Sequence, residues 1–422
     1  MSGLRIAMLT TFYPPYSFGG DAIGIQRLAQ ALADRGHEVT IIHDEDAFTT
    51  LGGKAETPAS EPGNPKRIGL RSATGVLSNL LTQQLGRPVV HGKRIRQILE
   101  TGGFDIIWHN NASLITGPAF FGVGDALQVY EAHEHWLVCP MHVLWRYNRE
   151  LCDEKKCLSC TLSYRRPPQL WRYGGLLERK AREIDLFISK SEFSREMHAR
   201  FGFREKMETV PYFLPDVPLA KETPERERPY YLFVGRLEKI KGLQDVIPLF
   251  KSDIGADLVI IGDGEYRSTL EEQANGNPNV RFMGRMPPDD LARWYKGAIS
   301  LIVPSACYET FGIILIESFR TGTPVIARRL GPFPEIVDKA GAGILFETEA
   351  ELRAAMLKFR DDATFRNNAA VSARSAFETY WTEDAVLREY GVKLADAAEA
   401  AGRTQLAERL KSGVFEKGAA NA

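Results

Sequence analysis

Short, almost wholly apolar runs alternate with segments whose apolar residues recur at helical spacing, and they do so twice along the chain. This alternation constrains the fold more than any single residue does. In the first half the runs "LRIAMLTT", "EVTIIH", "FDIIWHN" and the start of "ALQVYEAHEHW" end at polar residues, as buried parallel strands do. Between and after them stand the amphipathic segments "AIGIQRLAQALADRGH", "GKRIRQILETG" and the helical parts of "RKAREIDLFISKSEFSREMHARFG". A proline- and charge-rich stretch, "FLPDVPLAKETPERERP" (213–229), reads as a linker. Beyond it the alternation restarts with "YYLFVGR", "KGLQDVIPLFKS", "ADLVIIGDG", "EYRSTLEEQA", "VRFMG", "PDDLARWYKGA", "SLIVPS" and "FGIILIESFRTG".

Two α/β halves follow, each expected as a doubly wound, Rossmann-like parallel sheet, with a ligand cleft at strand carboxyl ends between the halves. The predicted divisions are 1–215, an acceptor-side domain carrying a cysteine cluster; 216–385, a nucleotide-sugar-binding domain; and 386–422, a helical segment with a fraying tail. The polar stretch 44–67 reads as loop. A length of 422 residues suits two or three domains, and 44% hydrophobic with 25% charged residues is a globular composition. The net charge of −1 gives no field to attract nucleic acid, and no nucleic-acid module is present. No apolar run approaches the roughly 20 residues that span a bilayer, and the amino-terminal run is too short and weakly basic for a signal peptide. A cytoplasmic location is expected, with peripheral contact at the inner face of the cell membrane left open.

Candidate chemistry gathers in the second half. In "FVGRLEKIKG", Arg236 and Lys241 stand just past a strand end and suit a diphosphate, although two solvated surface cations would look the same. "IIGDGE" puts Gly262 and Gly264 after a strand, either for close approach to a nucleotide or as an ordinary turn. In "PSACYETFGIILIES", Glu309 and Glu317 bracket a seven-residue, mostly apolar stretch. Thr310, Phe311 and Gly312 are read as the first helical turn, whose unpaired N–H groups attract an anion. Glu317 is read as accepting from ribose hydroxyls and Glu309 from those of a sugar. The alternative is that Glu309 offsets the helix dipole and Glu317 is solvated.

This ordered set, "VGRLEKIKG", "IGDGE", "PSACYETFGIILIES" and "GTPVIA", resembles family 4 of the retaining, sugar-nucleotide-dependent glycosyltransferases. "TFYPPYSFGGDAIGIQRLAQALADRGHEVTII" is similar to that family's opening, so the resemblance spans both halves. It implies the GT-B fold and transfer of a hexosyl group from a UDP- or GDP-type sugar nucleotide to a hydroxyl, in polysaccharide or glycolipid assembly. It implies Arg236 and Lys241 on the diphosphate, Glu317 on the ribose, Glu309 at the transferred sugar and backbone donors from Thr310, Phe311 and Gly312. Gly19 and Gly20 would admit the donor phosphates. "YEAHEHWLVCP" resembles the family's His-Asp stretch, which makes His133 the active-site histidine; Glu134 stands where Asp is usual, and His135 competes. In "GPFPEI", Pro332 stands where a second glycine is common. With no Asp-x-Asp at a strand end, no catalytic metal is expected, and Arg236, Lys241 and helix N–H groups would stabilise the leaving group. Rival readings are a sugar-nucleotide-binding protein without turnover, a sugar-nucleotide epimerase and a phosphorylase.

Two features lie outside that set. Cys139, Cys152, Cys157 and Cys160 are four of the five cysteines, dense enough for structural zinc. An iron–sulfur cluster and unligated thiols are the alternatives. Aromatics and cations mix in "VLWRYN" and "SYRRPPQLWRYGG", which suit a saccharide or lipid-linked acceptor, an anionic membrane face, or a plain surface loop.

Overall fold

The computed structural model describes residues 3–54, 63–215, 222–252 and 254–416. The chain divides into one unit of residues 1–212 with 383–422 and another of 213–382.

In the first unit the strands are β1 (Arg5–Thr10), β2 (Glu38–Asp44), β3 (Lys66–Leu70), β4 (Ile106–His109) and β5 (Leu127–Ala132), then a small hairpin, β6 (Trp145–Arg146) and β7 (Glu150–Leu151), then β8 (Leu186–Ser189) and β9 (Met207–Thr209). Seven form a sheet in the order β3-β2-β1-β4-β5-β8-β9. Every pairing in it is parallel. Parallel strands are covered by helices on both faces, which is why β4 and β5 are buried at every residue. The second unit repeats the plan with β10 (Tyr230–Val234), β11 (Asp257–Ile261), β12 (Val280–Gly284), β13 (Leu301–Val303), β14 (Val325–Arg328) and β15 (Gly343–Phe346). Their order, β12-β11-β10-β13-β14-β15, reverses direction between β10 and β13, as the first sheet's does between β1 and β4. Such reversal points open a crevice at the strands' carboxyl ends.

Three expectations are corrected. The segment 386–422 is not separate: residues 383–422 return to the first unit. Arg35 pairs there with Glu383 and Asp384, and Arg409 with Asp105. The tail does not fray through its described part, since Leu406, Leu410, Val414 and Phe415 are buried. The polar stretch 44–67 holds a helix, Glu45–Thr50, capped by Asp44, and the start of β3; its residues 55–62 lie outside the described residues, as do 216–221 of the linker and 417–422 of the tail. Finally, "KGLQDVIPLFKS" forms short 3-10 turns, Leu243–Asp245 and Ile247–Phe250, rather than a helix. Pro248 cannot donate to an α-helical ladder. Among the described residues no helix is long and apolar enough to cross a membrane.

Candidate active site

In the second unit, the loops that follow β10 and β13 meet at the reversal point. The Ala306 N–H donates to the Ile240 carbonyl at 2.8 Å. Gly242 has φ +75°, and a Cβ there would overlap the Pro304 carbonyl, so only glycine lets the two loops close. Lys241 ends a 3-10 turn, Lys239–Lys241, and its Nζ donates to Glu309 Oε1 at 2.6 Å. The same oxygen accepts from Ser305 Oγ at 3.1 Å. Burial is the largest influence on both and opposes each charge; the partner, helped by Cys307 at Lys241 and by Ser305 and Arg236 at Glu309, overcomes it. Lys241 is held above its ordinary pKa and Glu309 below its own. Arg236 acts electrostatically on both, but its guanidinium is 59% exposed and pairs with Glu238 at 2.7 Å. Glu317 is not part of this cluster. It lies on the helix Ile313–Arg320, where its Oε2 accepts from Tyr295 OH at 3.0 Å. Burial, then the Glu317 carboxylate, push the Tyr295 hydroxyl well above its usual pKa.

Thr310, Phe311 and Gly312 are not the first helical turn. The helix begins at Ile313, with Gly312 as its N-cap at φ +135°, and the Phe311 ring is buried. Gly312's positive φ breaks the turn one residue before the helix starts. Gly262 sits at φ +146°, where a Cβ would overlap the Gly235 carbonyl oxygen, so the close approach it permits is between the ends of β10 and β11. Pro332 is the N-cap of the helix Phe333–Ala340.

In the first unit, His133 follows β5 and is buried. Its Nδ1 lies 2.6 Å from Tyr212 OH and its Nε2 3.0 Å from Asn110 Oδ1. The Asn110 amide nitrogen is aimed at the Leu9 and Trp108 carbonyls, so its oxygen accepts from Nε2–H and Tyr212 donates to Nδ1. Burial lowers the His133 pKa to about 4, with nearby Glu131 opposing, so the ring is neutral at pH 7. Glu134 Oε2 pairs with His142 Nδ1 at 2.7 Å. His135 stacks on His198 at 5.3 Å inside the core, with neither ring nitrogen hydrogen-bonded. Of the two histidines, His133 carries the polar network. Gly19 is the extended N-cap of the helix Gly20–Asp34, and nothing lies within 4 Å of where a Gly20 Cβ would stand.

Ser305, Tyr295, Asn110 and Tyr212 carry no mark in the sequence that points to these roles. The first unit also holds a buried pair, Lys190 with Glu131, bridged by Tyr390, whose hydroxyl accepts from Lys190 at 2.7 Å and donates to Glu131. Two charges inside the apolar runs "YEA" and "FISKS" were the available signal.

The four cysteines Cys139, Cys152, Cys157 and Cys160 line one small cavity beside β6 and β7. Among the described residues, the only three ligand side chains with all donor atoms within 4.8 Å of one another are Asp44, Asp46 and His91. Those are already used: Asp44 caps a helix, and Asp46 accepts from Ser72 and His91. The first unit also holds a cavity of about 680 Å³, lined by Leu137, Trp171, Arg172, Tyr173, Phe203 and Arg204 among others.

Residues 18–214 match the sequence profile described as Glycosyltransferase Family 4, and residues 219–376 that of Glycosyl transferases group 1. An uncharacterized glycosyltransferase of Methanocaldococcus jannaschii is 25% identical, over 81% of this chain and 84% of its own length. Sucrose-phosphate synthase of Thermosynechococcus elongatus shares the fold with a TM-score of 0.72 at 19% identity, over 94% of this chain and 100% of that one. HepE of Anabaena, solved in complex with UDP-glucose, aligns with a TM-score of 0.61 at 17% identity, over 95% and 100%.

Proposed function

Because this chain belongs to glycosyltransferase family 4 and has the GT-B fold, we propose that it transfers a hexosyl group, with retained anomeric configuration, from a nucleoside-diphosphate sugar to a hydroxyl acceptor. The observation that carries this reading is the Lys241–Glu309–Ser305 cluster at the carboxyl ends of β10 and β13. A cation and an acid poised where a doubly wound sheet binds its ligand suit a diphosphate and sugar hydroxyls.

Lys241 and Arg236 take the diphosphate. The exposed Arg236–Glu238 pair is worth little in water, so Arg236 is readily exchanged onto phosphate. Glu309, kept ionised by Lys241, accepts from hydroxyls of the transferred sugar, and Glu317, steadied by Tyr295, from those of the ribose. The N–H groups around Gly312, at the start of the helix Ile313–Arg320, donate to the rest of the sugar nucleotide. As the bond to the leaving diphosphate breaks, charge grows on phosphate oxygens, and fixed cations lower that barrier without a metal. His133 is neutral with both ring nitrogens engaged, so its role is to orient rather than to exchange a proton. The acceptor, a saccharide or lipid-linked saccharide, is proposed to use the cavity of about 680 Å³, whose rim carries exposed Leu158 and Tyr173 beside cations.

The test is a panel of UDP- and GDP-sugars by thermal shift, then nucleotide release with and without acceptor. One donor should raise the melting temperature and be turned over. Stabilisation without release or transfer would instead identify a binding protein, and no stabilisation by any donor would overturn the reading.

A further inference from the structure

We infer that Cys139, Cys152, Cys157 and Cys160 bind one zinc ion in a four-thiolate site that holds the segment 139–163 of the first unit in place. The inference does not depend on the donor reading. From Met141 to Cys160 the only buried residue is Leu144, so apolar packing alone is a poor anchor for this stretch. Its sole regular pairing is the two-residue hairpin of β6 and β7. Yet four non-glycine residues here, His142, Leu144, Tyr147 and Asn148, take φ between 48° and 73°. Such backbone is costly unless something holds it.

These turns aim backbone N–H groups at sulfur. The Tyr147 N–H lies 3.4 Å from Cys160 Sγ, and the Met141 and Leu144 N–H groups act electrostatically on Cys139. Donors aimed at sulfur fix the direction in which each side chain can present its lone pairs. Cys152 is within electrostatic reach of the other three cysteines, and all four line the same cavity.

The charges agree. Zinc replacing four thiol protons leaves a centre of net charge −2, with four protons released to solvent. Arg172 is within electrostatic reach of Cys139 and Cys157, and among the described residues its guanidinium hydrogen-bonds the Trp136 and Leu137 carbonyls and Gln169. Among the described residues no carboxylate pairs with it. Lys155 adds a cation near Cys157, whereas Arg146, near Cys152, is already paired with Glu150, Asp153 and Glu154. As things stand the sulfurs are wider apart than coordination demands. Zinc–sulfur bonds of about 2.3 Å set sulfurs about 3.8 Å apart, so the side chains must turn inward about their Cα–Cβ bonds. Pro140, Lys156, Cys157 and Thr161 line both this cavity and the larger one, so the ion would also fix a wall of the latter.

Metal analysis of the full chain, purified under reducing conditions, should find about one zinc per molecule. Cobalt exchanged for it should show the intense visible bands of a tetrahedral four-thiolate centre. Cys157→Ser should lower zinc content several-fold, whereas Cys307→Ser, in the other unit, should not. Chelation should open 139–163 to protease and leave 213–382 as resistant as before. The wild-type measurements do not require any variant to fold. Protein that carries no zinc and takes up no cobalt overturns the inference, as does iron with labile sulfide, or a disulfide within the set.

Discussion

Lys241 and Glu309 hold each other at 2.6 Å, and removing either strands the other half-buried. Lys241→Ala should therefore cut kcat/KM by roughly 10²–10³-fold, the cost of losing one pre-placed donor to a developing anion. The fall should appear in kcat as well as in donor KM; wild-type values for both would remove Lys241 from the diphosphate site. Gly262→Ala tests a different property. Its new methyl would press on the Gly235 carbonyl in a backbone region that alanine avoids, and the second unit should lose about 1–3 kcal/mol. An unchanged thermal melt would mean the strand ends can spread. Lys241, Glu309 and Gly262 are legible in the sequence because each lies within a few residues of a strand end, and apolar runs reveal those ends. Tyr295, Tyr212 and Asn110 are not, since each meets its partner only after the sheet is assembled. His133 and Tyr212 are 79 residues apart, and nothing local in "VPYFLP" marks that tyrosine.

The strands were readable for a physical reason: a parallel strand is apolar along its whole length, and no other short element is. Helices are harder, because an amphipathic pattern shows that a face is buried but not what covers it. The helix Glu383–Ala400 could be read as a helix, but its place on the first unit depends on Arg35, which precedes it by 348 residues. Arg35 is buried at the end of the helix Gly20–Asp34, and its Nη1 donates to Glu383 at 2.6 Å and to the Ala31 carbonyl at 3.0 Å. Arg35→Ala should cost about 2 kcal/mol, within the range for hydrogen bonds to charged groups. Hydrogen exchange should show residues 383–411 losing protection first. Arg403→Ala is the control: its partner Asp125 is 98% exposed, and such surface pairs contribute about 0–1 kcal/mol. Equal effects from the two substitutions would mean that packing, not Arg35, anchors the C-terminal helices. The hairpin of β6 and β7 escaped the reading altogether, because two residues per strand are too few to display a period.

At the scale of the whole molecule, all eight histidines lie at positions 37–198, within the first unit, and none in 213–382. Burial pushes His37, His109, His133 and His198 down to about 4, and His135 well below its usual value. Unfolded, each would titrate near 6.5. Between pH 6.5 and 4 the unfolded chain therefore binds more protons than the folded one, and stability falls as pH falls. Each histidine removes about 1.4 kcal/mol per pH unit inside that window. Two carboxyls work the other way. Burial raises Asp44 to about 7 and raises Asp185, so both hold a proton longer in the folded state and add stability as pH falls. The histidines outnumber them, so the net effect is a loss of stability as pH falls from about 6.5 toward 4. In the second unit Glu309 is held below its ordinary pKa, so its contribution is intact at pH 5 and is lost only in stronger acid. Calorimetry at pH 7.5 and 5.0 should therefore show the first unit's transition moving to lower temperature while the second unit's moves much less. Gly262→Ala, which perturbs only the second unit, identifies which transition is which. If both transitions fall together, or the second falls first, the buried histidines are not what limits this protein in mild acid.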